Sequence, residues 1–129
     1  MSGLRFVLRP ESFCVHRLPP DRRVDIDRLR YASWYSVTKT SEEISVIAPD
    51  AIDPGPGDRQ PGWSCLQIAG TLDFAAIGVL AGISRVLAEA NVSILTVSTY
   101  NTDYILVRTG DVDTAVRALT AAGHIVGAA

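Results

Sequence analysis

Residues 69–80 combine features that could hold a small zwitterion. The segment joins an expected strand to an expected helix, and the first N–H groups of a helix favour a carboxylate. Gly78 has no side chain to block a ligand, and Asp73 could accept hydrogen bonds from an ammonium group. Because a free amino acid carries both charged groups, the segment fits such a ligand. The structural alternative is that Asp73 only caps the helix, while Gly78 and Gly82 only let it approach a sheet.

The reactive side chains give no comparable indication of catalysis. His16 and His124 lie in expected strands, and the GxSxG, HExxH and GxxxxGK[ST] motifs are absent from the sequence. Cys14 and Cys65 form no CxxC pair, which argues against structural zinc. The sequence therefore predicts a protein that is not an enzyme, with no catalytic residue, no metal ion and no cofactor. Several carboxylates in turn-like segments are expected to be solvated: Asp21, Asp25, Asp27, Glu42 and Glu43.

The composition is that of a folded protein, and it argues against two classes of partner. The 129 residues are 47% apolar and 20% charged, and a chain of this length can bury a core without a disulfide. The net charge of −2 argues against binding nucleic acid through bulk charge. Charges interrupt the amino terminus where a signal peptide needs an apolar run, and the longest apolar stretch, 74–83, is too short to span a membrane. We therefore expect a cytoplasmic protein with reduced cysteines that binds neither nucleic acid nor a membrane.

The C-terminal part of the sequence predicts an α+β unit. Apolar residues recur at helical spacing over 74–90 and over 112–122, with Asp111 as a cap and Gly123 as a stop. Short apolar or β-branched stretches around them predict strands over 63–69, 92–100, 103–108 and 124–126. The order β-α-β-β-α-β is the ferredoxin-like arrangement, which gives an antiparallel four-stranded sheet with both helices on one face.

RNA-binding domains of the RRM type share this order of elements. They place aromatic side chains on the middle strands, where bases stack. The corresponding strands here, 65–69 and 103–108, carry Tyr104 but no aromatic run and no basic motif. This alternative is therefore disfavoured.

A segment rich in proline and glycine, residues 50–62, predicts a linker. It separates an N-terminal part, 1–49, from the C-terminal part, 63–129. The N-terminal part has room for only a turn or two of helix over Val24 to Arg30, and the linker stands where a second helix would be. We expect a unit reduced in helices whose uncovered strands pack against the other unit or a second chain.

The two parts also align weakly with each other. Cys14–Leu18 aligns with Cys65–Ala69, and Ser36–Asp50 aligns with Val97–Asp111. The identities are few, so chance remains the alternative to a tandem repeat.

Residues 77–94 resemble the signature of an ACT domain, in which a Gly-Val pair opens the first helix and an Asn-Ile or similar pair opens the next strand. Here those pairs are Gly78-Val79 and Asn91-Val92. The following residues, 95–107, resemble the ACT hairpin of aspartate kinases and of CASTOR-type amino-acid sensors. The strongest likeness covers about 63–109, and Ser36–Glu43 resembles the first ACT-like unit of small tandem-ACT proteins.

This resemblance implies an ACT fold with a complete C-terminal unit and a reduced N-terminal one. It also implies a stand-alone, non-catalytic regulatory or sensor module that binds a small amino acid between adjoining ACT units. Such a module acts as a homodimer or on a protein regulated in trans. The alternative is a dimerisation or protein-interaction module with no small-molecule ligand. Carried over by position, the ligand-binding residues are Asp73, Ala76, Ile77, Gly78, Asn91, Val92, Ser93 and Ile94.

Overall fold

The strands and helices lie largely where the apolar pattern predicts them. The computed structural model describes residues 3–72 and 76–129. In chain order these residues form β1 (Arg5–Leu18), α1 (Ile26–Leu29), β2 (Ser36–Lys39), β3 (Ile44–Pro49), β4 (Asp58–Ile68), α2 (Val79–Glu89), β5 (Ile94–Ser98), β6 (Asp103–Arg108), α3 (Val112–Ala121) and β7 (Ile125–Ala128).

The chain divides into two compact units, and the division differs from the expected one. The larger unit contains the residues up to Pro10 together with Ser64–Ala129, and the smaller unit contains Glu11–Trp63. Two long strands, β1 and β4, therefore each contribute residues to both units. The expected boundaries at 49 and 63 treat each half as continuous in sequence, whereas the first part of β1 belongs with the larger unit.

The larger unit contains the predicted β-α-β-β-α-β order as β4, α2, β5, β6, α3 and β7. Its sheet has one strand more than the four expected, because the first part of β1 lies between β7 and β4. Arg5 to Leu8 pair in parallel with Ile125 to Ala128, and the Ala69 N–H donates to the carbonyl of Arg5 at 2.8 Å. The expectation of a wholly antiparallel four-stranded sheet is thus corrected, while the α+β ferredoxin-like class is confirmed.

Both longer helices of this unit pack on one hydrophobic core. Val79, Ile83 and Leu87 of α2 and Ala115 and Leu119 of α3 are buried there. A fully buried Leu or Ile side chain contributes about 1.5–3 kcal/mol relative to an exposed one. The strands supply the remaining buried members: Phe6, Leu66, Ile68, Ile105 and Val107, with Val92 from the loop after α2.

Helix α2 is shorter at its start than the periodicity predicts. The expected helix begins at Phe74, which lies outside the described residues, and α2 begins at Val79. Gly78 has φ of +82°, a left-handed conformation that a helical residue does not adopt. Of the apolar residues that extend the periodic pattern before Gly78, Ala76 and Ile77 are described, and neither is helical.

Both helices end with the same hydrogen-bonding arrangement. After α2, the Asn91 N–H donates to the carbonyl of Ala88 and the Val92 N–H to that of Leu87, and Asn91 has φ of +60°. After α3, Gly123 has φ of +94°, and its N–H donates to the carbonyl of Thr120. These are Schellman-type ends, which favour Gly or Asn at the left-handed position. The prediction that Gly123 ends the helix is confirmed, whereas Asp111, at the start of α3, makes no capping hydrogen bond through its side chain.

The smaller unit has the strand order β2-β3-β1-β4 and little helix. Strands β1 and β3 pair antiparallel, as do β2 and β3. The only helix in this fully described unit is the single turn α1, capped by Asp25. Its core consists of Leu18, Leu29, Ile44, Val46 and Ala48.

The second part of the segment expected to be a linker, residues 58–62, is a β-strand. Strand β4 begins at Asp58, so only residues 50–57 connect it to β3. Proline and glycine occur inside β4 as Pro61 and Gly62, and Gly62 has φ of +85°. Gly57 lies so close to β1 that a Cβ on it would stand 2.3 Å from the carbonyl oxygen of Arg17. The glycine there serves close packing, which sequence alone does not distinguish from a flexible linker.

Each unit contains one buried histidine. His16 of β1 is 1% exposed, and His124, just before β7, is 3% exposed. The Leu4 N–H donates to Nδ1 of His124 at 3.2 Å, and the ring meets that of Phe6 edge-on. Burial lowers the pKa of both imidazoles below the usual 6.5; at His16 the nearby Arg59 lowers it further, against Asp53 and Asp50.

These lowered pKa values predict that acid destabilises the protein below pH 6.5. The unfolded chain takes up protons near pH 6.5, whereas the folded imidazoles take them up only at lower pH. The free energy of unfolding therefore falls with the pH, by at most about 1.4 kcal/mol per pH unit for each histidine. Urea denaturation at pH 7.5, 6.5 and 5.5 measures this slope. His124→Asn, whose amide oxygen can take the place of Nδ1 and accept from the Leu4 N–H, should flatten it; an unchanged slope would show that His124 does not contribute.

Candidate functional site

A small cavity in the larger unit, of about 190 Å³, lies between the segment before α2 and the turn joining β5 to β6. We call it the hairpin pocket. Hydroxyl, amide and carboxylate groups line one wall, and short apolar side chains line the other. Its lining residues are Leu72, Ala76, Val79, Ser98, Thr99, Tyr100, Asn101, Thr102 and Asp103.

The turn that forms the polar wall is held by its own threonines. Strands β5 and β6 pair antiparallel up to Ser98 and Asp103. The Thr99 N–H donates to the carbonyl of Thr102 at 2.8 Å, and the Thr99 hydroxyl donates to the same oxygen at 3.1 Å. The Ser98 hydroxyl donates to Oδ1 of Asp103 at 2.6 Å. These bonds fix the side chains that face the pocket.

Two further hydrogen bonds tie this turn to the segment after β4. The Thr102 hydroxyl donates to the carbonyl of Ile68 at 2.8 Å, and Thr102 is 3% exposed. The Leu72 N–H donates to the carbonyl of Asn101 at 2.7 Å. The turn and the segment leading towards α2 are therefore held together at the pocket.

The amino-terminal end of α2 lies at the same pocket through Val79. Gly78 precedes it in the left-handed conformation and, being glycine, supplies no side-chain cap to this end of the helix. A Cβ on Gly78 would meet no atom within 4 Å, so the backbone is open to an approaching group. The unpaired N–H groups of the first helical turn suit a carboxylate.

The structure separates the eight sequence-predicted ligand residues into two groups. Ala76 lines the hairpin pocket, Ile77 beside it is 90% exposed, and Gly78 precedes α2. Asp73 lies outside the described residues. The other four, Asn91, Val92, Ser93 and Ile94, follow the far end of α2. Eleven helical residues span about 16 Å, so the two groups do not meet within this unit.

The second group has structural roles. Asn91 forms the left-handed end of α2, and Val92 is buried in the core beside Leu87. Ser93 is exposed, and Ile94 begins β5 and packs on the same core. The Asn-Val pair at the start of the strand is therefore accounted for by helix termination and core packing.

Sequence reasoning missed the residues of the polar wall. Ser98, Thr99, Asn101, Thr102 and Asp103 were read as parts of two strands and a tight turn. A signal was present, because five small polar side chains in six positions exceed what a two-residue turn needs. Their shared orientation depends on the bonds to Ile68 and Leu72, which are distant in sequence.

The described residues offer no metal site and no membrane span. Within 3–72 and 76–129, no three His, Cys, Asp or Glu side chains come together in a metal-binding group. None of the helices in these ranges has both the length and the apolar character needed to cross a bilayer.

Comparison with known proteins places the larger unit in a family. Residues 58–121 match the model of the ACT domain family. This segment is an ACT domain, and the resemblance read from residues 77–94 is confirmed. No curated protein matches the sequence.

Solved structures with the same fold extend over the whole chain. An Agobacterium tumefaciens protein superposes with a TM-score of 0.90 at 24% identity, covering 100% of this chain and 96% of that one. The regulatory subunit of aspartate kinase from Thermus thermophilus gives 0.65 at 14% identity, covering 91% of this chain and 95% of that one. The aspartate kinase of Clostridium acetobutylicum gives 0.67 at 16% identity, covering 88% of this chain and 33% of that one. These structures share the fold of this chain.

Replacing Thr102 with valine should loosen the hairpin pocket. The substitution keeps the side-chain shape, but it removes the bond to the carbonyl of Ile68 and buries a methyl group beside that oxygen. We expect the free energy of unfolding to fall by about 1–3 kcal/mol. Thr96→Val, at an exposed position of β5, is the matched control and should change it by less than about 0.5 kcal/mol. Chemical denaturation measures the free energy of unfolding of both variants. If both substitutions lower it equally, the hydrogen bond from Thr102 to Ile68 adds little to stability.

Proposed function

We propose that this chain is a non-catalytic regulatory module that binds a small free amino acid in the hairpin pocket. The observation that carries the proposal is that the pocket combines a helix start whose N-cap residue, Gly78, has no side chain with a wall of hydrogen-bonding side chains. The ACT match and the likeness to an aspartate-kinase regulatory subunit support a regulatory role. The predicted cytoplasmic location agrees with this role.

The two ends of an amino acid fit the two sides of the pocket. Its carboxylate would accept hydrogen bonds from the first N–H groups of α2, where the open backbone at Gly78 allows close approach. Its side chain would lie among the hydroxyls of Ser98 and Thr99 and the apolar Val79. A cavity of about 190 Å³ favours a small ligand.

We further propose that the protein forms a homodimer, in which the predicted ligand-binding residues after α2 contact a ligand held by the partner. In the arrangement implied by the family resemblance, ligands lie between adjoining ACT units. Asn91 to Ile94 are about a helix length from Gly78, so they can share a ligand with Ala76, Ile77 and Gly78 only across two ACT units. The module would then act on its target protein in trans.

One observation favours the alternative, a protein-interaction module with no small ligand. Two large apolar side chains are strongly exposed: Tyr100, which lines the hairpin pocket, at 80%, and Ile77, which follows the lining residue Ala76 in the chain, at 90%. A large exposed apolar patch marks an interaction surface. Binding of a ligand and of a partner can also coexist at one surface.

Thermal unfolding with each of the twenty proteinogenic amino acids tests the proposal. A ligand present at about 100 times its dissociation constant adds roughly 2.7 kcal/mol to the free energy of unfolding, which raises the Tm by several degrees. We expect a saturable rise with at least one small amino acid and none with Ala76→Phe, which fills the pocket. Ala51→Phe adds the same ring at an exposed position of the smaller unit, outside the residues proposed to bind the ligand, and it should respond like the wild type. No rise with any amino acid at millimolar concentration would contradict the proposal and favour the interaction module.

A further inference from the structure

The hairpin pocket has a single charged side chain among its described lining residues. That side chain is Asp103, at the start of β6, and the other eight lining residues carry no lysine, arginine, histidine or second acid. A ligand entering this pocket therefore meets one negative charge and no positive side chain. Such a pocket favours a ligand that brings a positive charge to the side near Asp103.

One oxygen of the Asp103 carboxylate is held by a hydrogen bond, and the other is available to a ligand. Its Oδ1 accepts the hydroxyl hydrogen of Ser98, the residue paired with it across the hairpin, at 2.6 Å. Asp103 is half-buried, and within the described chain its Oδ2 accepts no hydrogen bond. A fixed, partly desolvated carboxylate with a free oxygen forms a strong, charge-assisted hydrogen bond to an ammonium group.

We infer that Asp103 binds the ammonium group of the amino acid and makes an amine a requirement for binding. This inference rests on the proposed function, and it names the group by which that site selects its ligand. The sequence alone offers Asp73, which lies outside the described residues, for the same role. Asp103 differs because its position is fixed by the pairing of β5 with β6 and by Ser98.

The two ends of the ligand then have separate partners. The ammonium lies at the polar wall, and the carboxylate lies at the start of α2. A carboxylic acid without an amine keeps one contact and is repelled by Asp103. An N-acetylated amino acid has lost the charge that Asp103 attracts, so it should also bind poorly.

Isothermal titration of four proteins tests this assignment: the wild type, Asp103→Asn, Asp73→Asn and Ser98→Ala. Each is titrated with the twenty proteinogenic amino acids, and with the N-acetyl form of every amino acid that binds the wild type. Asp103→Asn removes the charge but keeps an oxygen that accepts from Ser98, so the hairpin should fold normally, which far-ultraviolet circular dichroism checks.

We expect Asp103→Asn to weaken binding by about ten- to a hundredfold, the loss typical of a hydrogen bond to a charged group. Asp73→Asn should change it less than threefold, and Ser98→Ala should have an intermediate effect. The wild type should not bind the N-acetyl forms. Undiminished binding by Asp103→Asn, or a larger loss in Asp73→Asn, would overturn the inference while leaving the proposed function intact. If no amino acid binds the wild type, the proposed function fails, and this inference fails with it.

Discussion

The buried hydrogen bond from Thr102 to the carbonyl of Ile68 determines where the β5–β6 hairpin lies. It joins the start of β6 to the end of β4, two strands that are neighbours in the sheet. The Leu72 bond to Asn101 then brings the segment leading towards α2 to the same turn. The cavity between them depends on both contacts. A buried acceptor left without its donor costs about 1–3 kcal/mol, so this arrangement strongly resists displacement.

The strands β1 and β4 are the second constraint on the molecule. Each is long enough to contribute residues to both units. The larger unit therefore consists of two separate pieces of chain, whereas the smaller unit, Glu11–Trp63, is continuous. The larger unit gains a parallel strand from Arg5–Leu8, and the smaller unit gains Asp58 to Trp63. In the chain, these residues follow β3 with no helix between them. They form the fourth strand of the smaller unit's sheet. The segments that align weakly in sequence, Cys14–Leu18 and Cys65–Ala69, both lie in these shared strands.

Sequence patterns predicted the helices and strands well where one local rule decides. Strand 103–108 follows from its short run of apolar and β-branched residues, and the end of α3 follows from the left-handed Gly123. The start of α2 was misplaced because the apolar spacing continues through residues that Gly78 excludes from the helix. The strand inside 50–62 was missed because Gly57 packs against β1, a contact 40 positions distant in the chain. Pairing of β1 with β7 joins opposite ends of the sequence, which no local pattern encodes.

The candidate site was predictable only in part, because contacts between distant parts of the chain leave no local pattern in the sequence. The sequence points to the residues before α2 because a helix start has a local signature, and Gly78 carries it. The polar wall requires two turns from different parts of the chain to meet, and Ser98 to Asp103 gave no local reason to expect that. Asn91 and Val92 stood out in the sequence, yet helix termination and core packing explain both.

A small amino acid is proposed to bind between the β5–β6 hairpin and the start of α2. Amide chemical shifts of the ¹⁵N-labelled protein, recorded with and without a saturating amino acid, report on this position residue by residue. We expect the largest shifts at residues 98–103 and 79–81. Shifts confined to residues 91–94, or to the smaller unit, would contradict it.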